Sequence, residues 1–532
     1  MANSVNRNRS LCTPLRPPLR KAMVLLLVLI VVMMITLAGF SFTESMQTEN
    51  KAAHLNGDQL QLDQAIASGV EFLKFFCEQP PSKQIEAGGM SNNLTLFHRI
   101  PLVPDDRAGK TPMNPLRFSI VAPNIVEGQA DGIRCGVENE SRRLHLADLL
   151  RWEQEQPGSG RLALMNFPGM TEAVADAILD WIDSDSQSRS QGAESDYYAG
   201  LDRPYAPRNG LPETLEELLL VKGVTRELLF GFDTNYNYQI DPEEIVKASS
   251  ASGPASPSNE IVPWASLLTL YSGQRNWTSD GQPRIDLNSM DLVNLQSQLT
   301  EALDANWAAF IMAYRQYGPS TGPQAATPGP PPINPGIAPS FTIRSVLDLV
   351  GAQVAISNPL LSQTSGVYAS PLANDPQAMN QQLPNLLDKT TVVNAPVLRG
   401  GVSVNDAPRA VLRCVPGIDD ALADRILSAR DSQSSKDEFG RRFPTWLLAE
   451  GVVDLPTMRT LLPNICSQGD VVRAQIVAQF DKPGPTARAE VVVDATTLPA
   501  QQVFYRDLRF WGLGFSHEWF GENGDRLLHS KR

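Results

Sequence analysis

Cysteine and histidine are scarce in this chain, which has 532 residues and only five of each. The cysteines lie at irregular spacings without a Cys-x-x-Cys pair, which excludes a disulfide-framework miniprotein and a zinc site of that type. The histidines show no metal-ligand spacing, and no phosphate-binding or dinucleotide-binding fingerprint occurs. A Gly-x-Ser-x-Gly match at residues 318–322 lies in a proline-rich stretch instead of following a strand. We therefore expect a protein that is not an enzyme.

Acidic residues are missing from the first 43 positions, where five Lys and Arg residues stand. The remainder has 40 basic and 58 acidic residues. Such an acidic body argues against nucleic acid as the main partner. Hydrophobic residues make up 42% of the chain and charged residues 19%, a composition typical of folded domains.

Proline is absent from Leu19 to Gln79, and residues 22–42 form an uncharged, mostly apolar run. Its 21 residues would span about 30 Å as a helix, enough to cross a bilayer. The flanking positive charge all precedes the run, which predicts a single-pass inner-membrane protein with a cytoplasmic amino terminus and an exported body. The alternative is a cleaved secretory signal with a cleavage site at residues 36–38.

The segment after Thr43 is polar but carries one apolar stripe, Leu62, Ile66, Val70, Leu73 and Cys77. This spacing places the five side chains on one face of a helix. We expect one helix from about residue 21 to residue 77, membrane-spanning first and amphipathic afterwards. The stripe then needs partner helices to cover it. The alternative is a membrane span and a separate helix, broken near Gly57.

Strand-like runs lie on both sides of a long helical block. They occur at residues 116–121 and 133–137, and again after residue 470, where the apolar period changes to two. Between them the pattern is helical, interrupted by Ser/Gly-rich stretches at 184–195 and 249–258 and a proline-rich stretch at 317–340. This order favours a small sheet into which a helical domain is inserted.

Three units within the helical block consist of a helix, a glycine turn and a second helix, with turns at Gly169, Gly223 and Gly417. They resemble helix-hairpin-helix motifs, whose turn amides can hold a DNA phosphate. Two residues after the third turn glycine stands Asp419, which would repel a phosphate. The units are therefore interpreted as packing elements. The alternative is a membrane-anchored DNA-binding protein of a DNA-uptake system.

The basic leader, the apolar segment and the long amphipathic helix together resemble a type IV pilin-like protein. The phrases at residues 180–185, 285–288 and 405–408 occur in an order similar to that of the general secretion pathway protein K family, the large minor pseudopilin of type II secretion. The resemblance implies an α+β fold, with a long membrane-to-periplasm helix on a small antiparallel pilin-like sheet and a large inserted helical domain. It also implies cleavage between Ala22 and Met23 by a prepilin peptidase, and a place at the pseudopilus tip beside other minor pseudopilins.

These observations divide the chain into nine predicted segments. They are a cytoplasmic leader (1–22), a transmembrane helix (23–42), its amphipathic continuation (43–79), the first part of the sheet domain (80–150), an inserted helical domain (151–316), a proline-rich linker (317–340), the second part of the helical domain (341–466), the C-terminal strands (467–515) and a tail (516–532).

The segment 233–244 follows the pattern of an EF-hand calcium loop. Tyr238 stands where such loops need glycine for a positive φ, which predicts weakened binding. A second, weaker candidate is an acidic loop for which the family resemblance also suggests calcium. The predicted ligands are Asp233, Asn235, Asn237, Gln239, Asp241 and Glu244 in the first loop and Asp183, Asp185, Glu194 and Asp196 in the second.

Four cysteines lie in the part of the chain predicted to be exported, where a disulfide could form. Cys414 and Cys466 both border the last helical unit and are one candidate pair, and Cys77 with Cys135 is another. The alternative is that all four are buried free thiols.

Overall fold

The computed structural model describes residues 19–102, 114–126, 129–244, 262–320, 327–331, 334–356, 366–431, 440–482 and 484–521. Most of the predicted leader, the stretch 249–258 and part of the proline-rich stretch lie outside these residues. The chain divides into two compact units, residues 1–63 and 64–532.

Helix α1, Leu19–Glu78, is continuous through Gly57, as the one-helix interpretation expects. It begins just after the last proline of the leader and ends just before Pro80, because proline is excluded from helix interiors. In the first unit, the described side chains from Met23 to Phe42 are exposed, as in a segment whose natural surroundings are apolar.

The amphipathic part of α1 packs on the chain's own sheet within the second unit. Ile66, Val70 and Leu73 are buried. A Cβ placed on Gly69 would lie 2.7 Å from Ile476, so the glycine allows the helix to approach the sheet closely. The expectation that this stripe needs partner helices is therefore wrong for residues 66–77, because the sheet itself covers them.

The main sheet has seven strands and is antiparallel throughout. The central order is β1-β2-β15-β16-β17, while β3 pairs with β2 and β4 pairs with β15. The strands are β1 (Ile100–Pro101), β2 (Leu116–Val126), β3 (Gln129–Cys135), β4 (Glu138–Asn139), β15 (Val471–Phe480), β16 (Thr486–Asp494) and β17 (Gln501–Asp507).

Both faces of this sheet are covered, and every residue of β15 is buried. Ile476 faces α1, whereas the alternate residues Gln475 and Gln479 lie on the opposite face and donate hydrogen bonds to the carbonyls of Tyr236 (2.7 Å) and Phe520 (2.9 Å). The polar alternation in the sequence therefore marks a second buried face and not a solvated one. Buried amides are tolerated there because they are hydrogen-bonded.

The helical block lies between β4 and β15 in the chain. Its α-helices are α4 (Leu146–Glu155), α5 (Ser159–Leu164), α6 (Glu172–Ile182), α7 (Ser195–Ala199), α8 (Arg226–Phe230), α9 (Leu292–Ala302), α10 (Ala305–Tyr317), α11 (Pro376–Lys389), α12 (Arg409–Leu412), α13 (Asp420–Asp431), α14 (Trp446–Ala449) and α15 (Leu455–Leu461). Two short helices, α2 (Pro81–Glu86) and α3 (Leu94–Phe97), precede β1. Short 3-10 helices occur at residues 140–142, 215–220, 264–266, 346–349, 440–442, 462–464, 509–511 and 517–520.

Five two-stranded ladders connect parts of the block, and three of them are parallel. The pairs are β5 (Leu144–His145) with β6 (Leu268–Thr269), β7 (Gly273–Arg275) with β12 (Val397–Arg399), β8 (Ile285–Asp286) with β11 (Thr390–Thr391), β9 (Gln353–Ile356) with β10 (Gly366–Ala369), and β13 (Val402–Ser403) with β14 (Ile465–Cys466). Such short pairs carry no periodic signal in the sequence.

The first two hairpin units pack against each other reciprocally. A Cβ placed on Gly169 would lie 2.9 Å from Leu228, and one on Gly223 would lie 2.8 Å from Val174. Both glycines have positive φ, 72° and 81°. Each turn therefore contacts the first turn of the other unit's second helix, which supports their use as packing elements.

A buried ion network joins the helical block to the sheet. Glu140, fully buried, pairs with Arg473 of β15 and accepts a hydrogen bond from Thr269 of β6. Arg473 also pairs with Glu490 of β16 at 3.1 Å. Glu138 is buried beside Arg142 and Arg143.

Each of the four described cysteines is a buried thiol outside any disulfide. Cys414 donates to the carbonyls of Ala163 (3.2 Å) and Ala410 (3.1 Å), whereas Cys466 lies against the carbonyl of Gly401 (3.6 Å). The structure thus forms neither of the two candidate disulfides, Cys414 with Cys466 or Cys77 with Cys135. Burial raises the pKa of Cys77 and of Cys466 to about 12, so both stay protonated.

Candidate functional site

Two buried carboxylates on α6 fix the shape of the loop that follows it. Asp176 and Asp180 lie one turn apart and are both fully buried. Asp180 accepts hydrogen bonds from the backbone amides of Arg189 (3.2 Å) and Ala193 (2.9 Å), and Asp176 accepts one from Gln191 (3.1 Å). The Ser/Gly-rich stretch 184–195 is therefore an ordered loop that folds back onto α6.

This loop brings three carboxylates together. Asp183 is the C-cap residue of α6, Asp185 follows two residues later, and Glu194 is the N-cap residue of α7. One carboxylate oxygen from each of the three lies within 4.8 Å of the others. Glu194 is 6% exposed, and within the described part of the chain neither of its carboxylate oxygens has a hydrogen-bond partner. Oδ1 of Asp183 is likewise buried without a partner. An orphaned buried carboxylate is costly, so this set of oxygens suits a hard cation that the acids would share.

The electrostatics of the acidic cluster point the same way. Burial raises the pKa of Glu194, and the neighbouring charges of Asp180 and Asp183 raise it further. Burial also raises the pKa of Asp183, although Arg189, which pairs with it at 2.5 Å, partly opposes this. The single guanidinium of Arg189 does not neutralise the charges of all three carboxylates. The cluster Asp183, Asp185 and Glu194 could therefore hold a metal ion.

The loop 233–244 forms a tight series of side-chain-to-backbone hydrogen bonds. Asp233 accepts from the amides of Asn237 (3.2 Å) and Tyr238 (2.8 Å). Glu244 accepts from the amides of Thr234 (2.7 Å) and Asp241 (3.0 Å). Tyr238 has φ 62°, the conformation that the EF-hand pattern demands at that position and that glycine usually supplies.

The same loop is seated on the face of the sheet opposite α1. Arg488 of β16 donates to the carbonyl of Tyr236 at 3.1 Å, and Asn237 donates to the carbonyl of Gly514 at 2.9 Å. Tyr238 packs against an apolar cluster that includes Val121, Val477, Phe515 and Phe520. The loop thus connects the helical block to the sheet and to the C-terminal segment.

The two calcium candidates differ in how well the chain satisfies their oxygens. The carboxylates of the 233–244 loop are hydrogen-bonded by the loop itself, whereas those of Glu194 are not. Among the described residues, three acidic ligand atoms converge only at Asp183, Asp185 and Glu194. The structure therefore favours the acidic cluster over the 233–244 loop, the reverse of the order expected from the sequence.

The structure places the remaining predicted and unpredicted residues of the loop as follows. Asp196 lies exposed on α7, outside the group of three converging carboxylates. Asp176, Asp180 and Arg189, which hold the loop in place, were not predicted. The available signal was a pair of acids one turn apart on an otherwise apolar helix, since a charge on a buried face needs partners.

The family-model match covers the hairpin pair and the acidic loop. Residues 160–230 match the family model of type II secretion system protein K. Over 125 residues the chain is 31% identical to type II secretion system protein K of Pectobacterium carotovorum subsp. carotovorum, an alignment that covers 21% of this chain and 36% of the relative. The chain thus spans about a third of the length of the curated relative that it matches.

One crystal structure is also similar, that of the GspK–GspI–GspJ complex from the type 2 secretion system of enterotoxigenic Escherichia coli. The TM-score is 0.30 at 9% identity, and the alignment covers 85% of this chain and 98% of that one. At that level of similarity the comparison carries no argument about this chain, whose fold is described above from its own elements.

Proposed function

We propose that the chain belongs to the type II secretion system protein K family, whose model matches residues 160–230, and that it is a non-enzymatic minor pseudopilin. In this role it caps the tip of a periplasmic pseudopilus and supports protein export across the outer membrane. The observation that carries the proposal is the continuous helix Leu19–Glu78, apolar in its first part and packed on a pilin-like sheet in its last, in a chain whose hairpin pair matches the family.

The anchor proposed is the apolar part of α1 in the inner membrane. This helix is long and apolar enough to cross a membrane. With the basic leader in the cytoplasm, the body would lie in the periplasm. Prepilin peptidase would cut between Ala22 and Met23. Amino-terminal sequencing of the membrane-bound protein tests this: a start at Met23 is expected, an intact Met1 contradicts processing, and a start near Gly39 indicates a signal peptide.

The proposed partners are other minor pseudopilins, which would pack along α1. Beyond the membrane-length run, Met46, Leu55 and Leu60 are 52%, 54% and 60% exposed in a segment that would lie in the aqueous periplasm. At about 100° per residue, Met46 and Leu60 lie on one side of the helix and Leu55 on the other, so each side offers apolar contacts to a partner helix.

Co-expression of the full-length chain with two other minor pseudopilins, followed by affinity purification in detergent, tests the partnership. We expect a stable complex that Leu55→Asp with Leu60→Asp disrupts and that the matched polar change Lys51→Ala leaves intact. Failure of the parent chain to co-purify with either pseudopilin contradicts the proposal.

A DNA-binding role is disfavoured by the third hairpin. Asp419 accepts a hydrogen bond from the amide of Leu422 at 2.8 Å, at the start of α13 where a phosphate would have to bind. Asp420 stands beside it and pairs with Arg409 at 2.7 Å. These carboxylates occupy the anion position and neutralise the nearby cation. Salt-sensitive retention of the full-length protein on DNA would reverse this conclusion.

The metal proposed for Asp183, Asp185 and Glu194 is calcium. Carboxylate oxygens are the ligands that this ion prefers, and the two orphaned oxygens of Glu194 support the assignment. The loop 233–244, through Asp233, Asn235, Asn237, Gln239, Asp241 and Glu244, is proposed as a second, weaker calcium site. Its departure from the EF-hand pattern at Tyr238 and its internally satisfied carboxylates both predict lower affinity.

Thermal unfolding of the full-length protein with calcium and with chelator tests both sites. We expect calcium to raise Tm. Glu194→Gln should remove most of this shift, Glu244→Gln a smaller part, and the exposed control Asp196→Asn none. An unshifted parent, or an undiminished shift in Glu194→Gln, contradicts calcium binding at the acidic cluster.

A further inference from the structure

A small pocket of about 290 Å³ lies between the start of α10 and one side of α11. Its volume is just below the range of about 300–1,000 Å³ that is usual for small-molecule sites, so it suits a ligand of about the size of one sugar ring. Four side-chain carboxamides line it, those of Asn306, Gln381, Gln382 and Asn385.

The indole of Trp307, which also lines this pocket, differs from the other buried indoles of the described chain. Trp307 is only 6% exposed. Within the described residues its indole N–H has no hydrogen-bond acceptor, although a buried indole N–H usually finds one. A ligand oxygen in the pocket would supply it. The buried tryptophans that do donate their indole N–H to a protein oxygen are Trp152, Trp181, Trp264 and Trp446.

The four carboxamides are likewise available to a ligand, because in the described part of the chain none of them hydrogen-bonds to a protein group. The buried carboxamides of Gln475 and Gln479, in contrast, donate to carbonyls of the chain. A carboxamide offers two N–H donors and one acceptor oxygen, and a hydroxyl both donates and accepts. Neighbouring hydroxyls on a sugar ring therefore match such a set of groups.

The charge of the pocket disfavours ionic ligands. Among the described residues that line it, Asp304 alone is charged, and one of its oxygens accepts the backbone amide of Trp307 at 2.8 Å. This described lining thus offers an anion no cation, and it offers a cation only one carboxylate. Pro371 and Leu303, both half-buried, add apolar surface for the C–H face of a ring. The pocket therefore suits an uncharged ligand that is rich in hydroxyls.

We propose that this pocket binds one ring of a neutral pyranose saccharide. The carboxamides of Gln382 and Asn385 on α11 bind ring hydroxyls, and the indole N–H of Trp307 donates to a further sugar oxygen. Asp304 accepts from a hydroxyl through its remaining lone pairs and repels acidic sugars. This inference is independent of the proposed assembly at a pseudopilus tip.

Isothermal titration calorimetry on the full-length protein in nanodiscs tests the proposal. The probes are cellotriose, tri-N-acetylchitotriose and the acidic trigalacturonic acid. We expect at least one neutral trisaccharide to bind and the acidic one not to bind. Gln382→Ala and Asn385→Ala should each raise Kd about fivefold, the loss of one hydrogen bond. Gln377→Ala, at an exposed position on α11 outside the pocket, is the matched control.

Two further comparisons sharpen the test. Trp307→Phe, which removes the indole N–H and keeps an aromatic ring, should also weaken binding, and the two α11 variants carry the test if it does not fold. Glucose and N-acetylglucosamine separate a single sugar from a glycan chain: a single ring that binds as tightly as its trisaccharide assigns a one-ring ligand, and weaker binding assigns a chain. Binding of neither neutral trisaccharide, tighter binding of trigalacturonic acid, or an unchanged Kd in both α11 variants overturns the proposal.

Discussion

Asp180 determines where the acidic loop can lie, because it is fully buried and accepts two backbone amides from the returning chain. The loop approaches so closely that residue 192 must be glycine. A Cβ placed there would lie 1.8 Å from Oδ2 of Asp180. The spacing of Glu194 from Asp183 is thus set by a carboxylate that need not touch a metal itself.

Gly192→Ala should therefore destabilise the protein by about 2–4 kcal/mol, the range of severe packing and buried-network defects. It should also weaken the calcium-dependent rise in Tm. Gly210→Ala is the control, because a Cβ at that position meets nothing within 4 Å. Thermal unfolding with and without calcium measures both effects, and equal stability of the two variants would contradict the role given to Gly192.

Replacing Glu194 should change the stability of the calcium-free and calcium-bound protein in opposite directions. Without a cation, its buried charge is opposed by Asp180 and Asp183, which also raise its pKa. Glu194→Gln removes that repulsion, so the variant should melt about 2 °C above the parent in chelator, equivalent to about 1 kcal/mol for a protein of this size. In calcium it should melt below the parent. A variant less stable than the parent in chelator would show that repulsion is not the dominant effect.

The raised pKa of Asp233 predicts that the stability of the protein depends on pH. Burial raises its pKa from 3.8 to about 6, although the amides of Tyr238 and Asn237 oppose the rise. Between pH 4 and pH 6 the folded protein thus retains a proton that the unfolded chain has lost, so the contribution of Asp233 to stability falls as pH rises through this window. The full effect is about 2–3 kcal/mol.

Urea unfolding at pH 4.5 and pH 7 in chelator measures this slope. Asp233→Asn should reduce it, whereas Asp196→Asn, an exposed carboxylate, should leave it unchanged. An unchanged slope in Asp233→Asn would contradict the raised pKa.

At the scale of elements, the packing of the first two hairpin units predicts that each turn glycine is coupled to its own neighbour in the other unit. Gly169→Ala forces a Cβ against Leu228 at 2.9 Å and into a positive φ. The conformational part alone costs about 1–2 kcal/mol. Adding Leu228→Ala should relieve the steric part for Gly169→Ala but not for Gly223→Ala, whose neighbour is Val174. Chemical denaturation of the single and double variants measures the coupling, and purely additive effects would contradict the packing.

The long elements could be predicted from the sequence because each rests on a local signal. Helix α1 lies in the proline-free stretch that begins at Leu19 and ends before Pro80 and Pro81. The alternation of apolar residues with a period of two after residue 470 predicts β15. The last of the sheet's strands, β17, ends at Asp507 and is followed by a 3-10 turn at residues 509–511.

The parts that could not be predicted depend on distant contacts. The stretch 184–195 looks like a linker by composition, and its order comes from Asp176 and Asp180 on α6. The apolar stripe of α1 looked unpartnered because the strands that cover it lie far along the chain. Likewise, the ranking of the two calcium candidates depends on which carboxylates lack hydrogen-bond donors in the fold. The spacing of acidic residues in the sequence does not show this.

At the scale of the whole second unit, the ion network makes the sheet and the helical block depend on each other. Burial by itself would raise the pKa of Glu138, but Arg143 and Arg142 more than offset it and lower the value to about 2. Arg473 and Arg143 likewise lower the pKa of Glu140 against its burial. Both acids thus stabilise the fold above the ordinary glutamate pKa of about 4, and this contribution is lost as pH falls below it, for Glu138 as pH approaches about 2.

Glu140→Gln should destabilise the protein by about 3–5 kcal/mol, because it leaves Arg473 buried with less compensating charge. Near-ultraviolet circular dichroism and tryptophan fluorescence in a denaturant titration should show sheet and helical block unfolding together. Glu155→Gln, at an exposed position on α4, is the control. Two separate transitions in the parent would contradict the interdependence.

The chain leaves the sheet and returns to it at adjacent points. Asn139 of β4 lies opposite Val472 of β15, and Glu138 lies opposite Arg473. Directly opposed residues of an antiparallel pair are only about 5 Å apart, so a short turn could join residue 139 to residue 472. The helical block is therefore grafted between two neighbouring strands as a cassette. Such an arrangement allows the cassette to be lengthened by insertions while the strand pairing of the host domain stays the same, whereas its deletion would leave the buried Arg473 without Glu140.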